Sequence, residues 1–262
     1  MFPNSSPLAG RVALVTGVTR PQGIGFAIAR RLGEMGASLA IHSFVEYDQR
    51  QPYWDGNVEA GEPLAKLLAE AGNNVTHIEL DLSLKGSAEA LFEQTHKMFD
   101  QVDILVLNRA AHVNQTIGQL TDDDTDYIMS VNVRASLMLV QEFAKQRDPG
   151  SGGRVIMMTS GQDLGSMRKE LAYAASKGAI ASMTGSLSDA LIDQGITVNT
   201  DNPGPVDTGY ATPDEHESTR HRFPQKEWGQ PDDPARLTAW LCSDEARWVT
   251  GQVINTEGGL RR

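Results

Sequence analysis

One cysteine, Cys242, stands among 262 residues. A lone thiol forms no intrachain disulfide, so a disulfide-stapled scaffold is excluded and a reducing compartment is expected. Cationic residues are scarce: 23 Lys and Arg face 34 Asp and Glu, a formal net charge of -11. That sign disfavours non-specific binding to nucleic acid or anionic lipid. No apolar run approaches the roughly 20 residues that cross a bilayer. Residues 1–7 lack the basic-then-apolar order of a secretion signal. A soluble cytoplasmic protein with neither membrane nor nucleic-acid partner is therefore expected. Internal repeats, low-complexity tracts and a Pro/Ser-rich linker are absent as well. With 40% hydrophobic residues, 25 Gly and 12 Pro, the composition is that of a globular enzyme rather than a disordered or collagen-like chain. Chains of this size bury roughly three quarters of their unfolded surface.

What is present is a rhythm. Short apolar runs at 12–16, 39–41, 75–80, 104–107, 155–158, 196–198 and 253–254 have the length and β-rich composition of strands buried on both faces. Between them, amphipathic stretches at 24–35, 60–71, 87–99, 122–145, 170–193 and 232–243 predict helices. Gly36, Gly72 and Gly195 follow three of these, where a left-handed cap is wanted. Seven strands alternating with six helices predict an α/β fold, a doubly wound seven-stranded parallel sheet with helices on both faces. One domain, 1–262, accommodates it, with ligands outside the carboxyl ends of the strands. Two segments interrupt the pattern at that edge: residues 44–59, carrying Tyr47, Tyr53 and Trp54, and the polar residues 210–230. Long loops in compact domains are usually functional or mobile, and 210–230 is expected to act as a substrate lid.

The first strand runs into Thr16-Gly17-Val18-Thr19-Arg20-Pro21-Gln22-Gly23-Ile24-Gly25. Glycines there let backbone N–H groups approach a pyrophosphate at a helix N-terminus, although close helix–strand packing alone also calls for glycine. Tyr173 and Lys177 lie four apart in an Ala-rich helical stretch and so share a face. Independent placement would give about 0.13 such pairs, so alone the pair also fits a surface contact. Ser160, at the carboxyl end of the 155–158 strand, raises it by placing a hydroxyl where the loop returns Tyr173. A free Tyr, with a pKa near 10, is a poor base, and a Lys ammonium beside it favours the phenolate.

With these residues the chain resembles the short-chain dehydrogenase/reductases over nearly its whole length, most of all members of the 3-oxoacyl-[acyl-carrier-protein] reductase type. Asp81-Leu82, Asn108, Asn132 in Val131-Asn132-Val133, Asn202-Pro203-Gly204-Pro205-Val206-Asp207-Thr208 and Glu257-Gly258-Gly259 complete the match. The resemblance implies a Rossmann fold and NAD(P)(H)-dependent hydride transfer at a carbonyl or alcohol. By it Tyr173 gives or takes the proton and Ser160 binds the substrate oxygen. Lys177 holds the nicotinamide ribose and tunes Tyr173, and Asn132 places a water in the proton relay. The implied cofactor surface comprises Gly17, Thr19, Arg20, Gly23, Ile24, Ser43, Asp81, Leu82, Asn108, Ala110, Tyr173, Lys177, Pro203, Gly204, Val206 and Thr208. A homotetramer is implied too, packed through the helices at 122–145 and 170–193.

The departures from the family pattern carry expectations of their own. Five residues separate Gly17 from Gly23, where the common form has three. Divergent enoyl reductases share such a stretched turn, but their Tyr and Lys stand seven apart, so the spacing here favours ketone chemistry. The usual Asn-Asn-Ala-Gly reads Asn108-Arg109-Ala110-Ala111; Arg109 is either an anion contact or the partner of a carboxylate such as Asp81. The second strand ends Ile41-His42-Ser43-Phe44 without the acid that selects NAD, so NADP(H) is expected over NAD(H). Arg20 is then set to meet the 2′-phosphate, with His42 or Ser43 donating, while Glu46 is the acid that a folded-back insertion brings to the ribose. The expected substrate is a small ketone or secondary alcohol, or an acyl thioester, although -11 argues against an acidic carrier protein. The alternatives are an NAD-dependent dehydrogenase of a small polyol, steroid or secondary metabolite, and an idle nucleotide sensor. The sensor reading conflicts with the presence of Ser160, Tyr173 and Lys177 together. No metal is expected: His216 and His221 are not a same-face helical pair. Asp122-Asp123-Asp124 reads as a helix-capping run, Cys242 as a buried hydrophobe, and Arg168-Lys169 as a solvated pair.

Overall fold

A computed structural model describes residues 6–54, 60–148 and 150–262. The residues 1–5 of the leader reading, and 55–59 of the insertion, lie outside them. All seven expected strands form: β1 (Val12–Thr16), β2 (Ser38–Ser43), β3 (Val75–Glu79), β4 (Ile104–Leu107), β5 (Gly153–Met158), β6 (Ile196–Asn202) and β7 (Val253–Asn255). They pair in parallel in the order β3-β2-β1-β4-β5-β6-β7. The order reverses between β1 and β4, and a doubly wound sheet opens its ligand crevice beside such a switch point.

The sheet's two faces sort alternate residues. Ala13 and Val15, Ile104 and Val106, and Ile156 and Met158 enter one core, beneath α1 (Ile24–Glu34) and α9 (Asp232–Leu241). Leu14, Leu105, Leu107, Val155 and Met157 enter the other, with α4 (Ser87–Thr95), α6 (Ala135–Lys145) and α7 (Leu171–Leu191). Because side chains alternate with period 2, a strand covered on both faces needs apolar residues at every position. β4 meets that demand throughout, and β1 and β5 meet it except near one end. The edge strands β3 and β7 are partly exposed, which corrects the expectation of seven strands buried on both faces.

Gly36, Gly72 and Gly195 all adopt positive φ, as their C-terminal positions require. Thr121 accepts from the Asp124 N–H as N-cap of α5 (Asp122–Met129), with its three aspartates in the first turn. The expected helix at 122–145 is not continuous. A π turn at Ser130–Arg134 separates α5 from α6 and contains Asn132. The described parts of the two irregular segments, 44–54 and 210–230, are also more ordered than the sequence suggested. Residues 44–59 include α2 (Val45–Gln49), which precedes α3 (Glu62–Glu70). Residues 210–230 hold α8 (Pro213–Arg220), which the polar composition concealed; a Thr212–Glu215 capping box starts it. No described helix is long and apolar enough to cross a membrane.

Candidate active site

The turn after β1 is held from three sides. His42, fully buried on β2, accepts from the Gly17 N–H at Nδ1 (3.4 Å) and donates from Nε2 to the Leu80 carbonyl (2.8 Å). That pattern requires a neutral ring, and burial lowers its pKa to about 4. Asn108 donates to the Thr16 and Gly17 carbonyls, 3.1 Å each, while Thr16 Oγ1 accepts from the Asn108 and Arg109 amides. Gly17 has φ +76°, and a Cβ there would stand 2.8 Å from the Arg109 Cα; one on Gly25 would stand 2.3 Å from the Gly17 carbonyl oxygen. The N-terminus of α1 begins at Gly23 with no side-chain cap and no acid in its first turn. Its amides face the crevice unscreened, which suits an anionic pyrophosphate. The turn thus fits a dinucleotide on backbone geometry.

Asp81 and Leu82 follow β3. The Asp81 carboxylate accepts from the amide and hydroxyl of Ser83, and Leu82 is buried. Pro203, Gly204, Val206 and Thr208 follow β6. Gly204 has φ +61° and packs so closely on Glu257 that a Cβ would approach its side chain to 2.9 Å. Ile24, Ala110 and Thr208 remain partly exposed on the same edge.

The insertion rearranges the expected contacts around this turn. Arg109 does not pair with Asp81: its guanidinium lies 4.0 Å over the Tyr47 ring, its Nη1 donates to the Ala110 carbonyl, and its Nη2 is buried with no hydrogen-bond partner among the described residues. Tyr47 reaches further, accepting from the His112 N–H at 2.8 Å and stacking on Tyr127. The acid brought back by the insertion is Asp48, not Glu46, which stays exposed and pairs with Arg50. Asp48 is buried and accepts from the Tyr53 hydroxyl at 3.3 Å, with Thr19 beside it and Arg20 Nε 3.8 Å away. Burial pushes its carboxyl pKa up, and Arg109 and Arg20 oppose that rise. Arg20 also lies 4.4 Å over the Tyr53 ring and donates to the Thr208 carbonyl at 2.9 Å. The Ser43 hydroxyl is fully buried against His77 and Glu79, so neither it nor His42 offers a free donor to a cofactor.

Beyond β5, Ser160 heads a 3-10 turn, and the first turns of α7 present Tyr173 and Lys177 beside it. The Ser160 hydroxyl neighbours the Tyr173 side chain; burial raises the Tyr173 pKa and Ser160 counters it. Lys177 Nζ donates to the Met158 carbonyl at 2.8 Å and stands 5.6 Å from the Tyr173 ring centroid. Its burial lowers the ammonium pKa to about 8. Asn132, expected near a relay water, is buried with its side chain engaged by protein. Its side chain exchanges bonds with the Ala111 N–H (2.7 Å) and carbonyl (2.9 Å) and donates to Ser176 Oγ. That side chain ties the loop after β4 to α7, and the π turn is what aims it there.

His112 and Glu170 escaped the sequence reading. The His112 ring meets Tyr173 edge-on at 5.0 Å, with Nε2 3.7 Å from Glu170 Oε1. Over the same edge, Trp228 organises residues 210–230: His216 stacks on it at 4.8 Å, and Tyr210 and Phe223 meet it at 6.0 and 6.4 Å. His216 pairs with Asp207 and His221 with Glu217, and no metal-ligating cluster occurs among the described residues. Cys242 is buried, and Arg168 and Lys169 are exposed.

A family model described as enoyl-(acyl carrier protein) reductase, of the adh_short_C2 type, matches residues 17–261. The chain belongs to the short-chain dehydrogenase/reductase family. It is an NAD(P)-dependent oxidoreductase of that family. Among its relatives, the uncharacterized oxidoreductase YjdA of Bacillus subtilis is 38% identical over 96% of this chain and 97% of its own. The 3-oxoacyl-[acyl-carrier-protein] reductase FabG of Rickettsia conorii is 30% identical over 97% and 98%. The angucycline C-6 ketoreductase LanV, solved with bound NADP, superposes with a TM-score of 0.85 at 30% identity, covering 98% of this chain and 97% of its own.

Proposed function

We propose that this member of the family is an NADP(H)-dependent reductase of a ketone, working between the carbonyl and the secondary alcohol. The observation that carries the reading is the Ser160–Tyr173–Lys177 group at the carboxyl edge of β5. The nicotinamide, when bound, supplies or accepts the hydride. Tyr173 donates its phenolic proton to the carbonyl oxygen, Ser160 hydrogen-bonds that oxygen, and the Lys177 ammonium lowers the cost of the resulting phenolate. Lys177 four residues after Tyr173 supports ketone rather than enoyl chemistry. Gly17, Thr19, Gly23, Ile24, Asp81, Leu82, Asn108, Ala110, Pro203, Gly204, Val206 and Thr208 form the cofactor's bed, and Asn132 braces α7 against it. Residues 210–230 are the substrate lid, and their aromatic cluster favours an apolar or ring-bearing substrate.

Two guanidiniums, Arg20 and Arg109, surround one carboxylate, Asp48, and the excess cation supports NADP(H). The solved neighbours carrying NADP or NADPH point the same way. Asp48 is also the observation that favours the competing NAD-dependent reading, since a carboxylate beyond β2 accepts ribose hydroxyls. An NADPH- and NADH-oxidation screen across cyclic ketones, diketones, quinones and oxoacyl thioesters tests the proposal. Turnover of at least one ketone class with NADPH is expected, abolished in Tyr173→Phe while cofactor affinity stays within a few fold. Near-normal kcat in that variant overturns the mechanism. Homotetramer assembly in the cytoplasm completes the proposal, supported by Met129, Leu137 and Met138 exposed along α5 and α6 and by Trp248, 87% exposed before β7.

A further inference from the structure

The amino-terminal edge of the sheet, opposite the candidate active site, holds a cleft of ≈ 390 Å³. Arg11 enters it just before β1, Arg147 from the turn after α6, Arg154 from β5 and Arg247 from the segment after α9. Asp103 and Asp244 are the two acids that line it. Four guanidiniums against two carboxylates leave this cleft with a formal charge of +2, in a chain whose net charge is -11.

The two acids are heavily shared. Asp103 accepts from Arg147 Nη1 (3.2 Å), from Gln101 and from the Val12 amide. Asp244 Oδ1 serves Arg11 Nη2 (2.5 Å) and Arg154 Nη2 (3.2 Å) together. Arg247 has no ion pair among the described residues. Arg147 and Arg154 are 8% and 7% exposed, and among the described residues the Nε of each is buried without an acceptor, as is the hydroxyl of Thr197 on the cleft wall. Burying a guanidinium without full compensation is costly, and a half-satisfied ionic network is more so. Burial, with Arg11 close by, pulls the Arg154 pKa below its ordinary value.

We infer that this cleft binds a phosphate dianion, either free or as the monoester head of a small metabolite, between Arg11, Arg154 and Arg247. Planar guanidinium forks match tetrahedral oxyanions through paired charge-assisted bonds. The volume admits a phosphate with a few attached carbons and excludes a dinucleotide. The site lies across the sheet from the cofactor turn, so it is independent of the function proposed above.

The test is thermal unfolding and isothermal titration of the full chain with inorganic phosphate and with glycerol 2-phosphate, ionic strength held constant with KCl. A saturable rise in Tm is expected with phosphate. Its Kd should weaken at least tenfold in Arg154→Gln and at least threefold in Arg247→Gln, whose exposed side chain leaves folding intact. Arg20→Ala, at the cofactor turn, should leave this Kd unchanged. Equal or tighter binding of the ester identifies a metabolite as the source, and binding of inorganic phosphate alone identifies the free ion; both support the site. A phosphate effect no larger than that of KCl overturns the inference. So does a Kd that Arg247→Gln leaves unchanged, or binding that disappears in Arg20→Ala.

Discussion

Replacing Asp201 by Asn should stabilise this protein, and by an amount that grows with pH. Asp201 lies near the carboxyl end of β6, paired between Met158 and Ile254, and is fully buried. Its Oδ1 accepts from Thr256 Oγ1 at 2.7 Å, and its Oδ2 is buried with no partner among the described residues. Desolvation is the dominant influence, raising the carboxyl pKa from 3.8 to about 7, with the Thr256 bond opposing it. A group whose folded pKa is raised favours the fold most below its unfolded pKa; that contribution declines as pH rises and is lost above the folded pKa. Here the loss runs from about pH 4 to about pH 7. At 1.36 kcal/mol per pH unit it reaches about 2 kcal/mol at pH 5 and about 4 kcal/mol at pH 8. Asn keeps an acceptor for Thr256 and carries no charge at either pH. With about 2–4 °C per kcal/mol for a chain of this size, Asp201→Asn should raise Tm by several degrees more at pH 8 than at pH 5. Paired thermal melts of both proteins from pH 4 to 8.5 measure this. A Tm difference independent of pH, or one that shrinks as pH rises, refutes the reasoning.

Ketone reduction should fall as pH rises through about 8, because buried Lys177 then loses the charge that stabilises the Tyr173 phenolate; a kcat/KM profile flat to pH 9.5 contradicts it. Arg20→Ala should lower kcat/KM for NADPH about ten- to a hundredfold and leave NADH nearly unchanged, the worth of one charge-assisted contact; cofactor kinetics with equal losses for both would reject the phosphate role. Light scattering at micromolar concentration should show an oligomer that Trp248→Glu weakens, and a stable wild-type monomer would exclude the assembly.

The sequence by itself determined the layered sheet and most of the chemistry. Hydrophobic period reports which face of an element is buried, so β1, β4 and β5 were legible to within two residues, as were the left-handed glycines. Tyr173 and Lys177 were legible because four residues along a helix return to one face, whatever the rest of the fold does. Only the tertiary structure decided the contacts between distant segments. Glu46 was the acid the sequence pointed to beyond β2, and the path of α2 instead brings Asp48 to face Arg20 and Thr19. Arg109 took Tyr47 rather than Asp81 because that insertion laid an aromatic ring over it while Ser83 occupied the carboxylate. The π turn at Ser130–Arg134 keeps a helical apolar pattern and so leaves no trace in periodicity. Likewise the cleft uniting Arg11, Arg147, Arg154 and Arg247 gathers residues up to 236 positions apart. No local pattern encodes such a meeting, because it is set by which strand ends the parallel crossovers bring side by side.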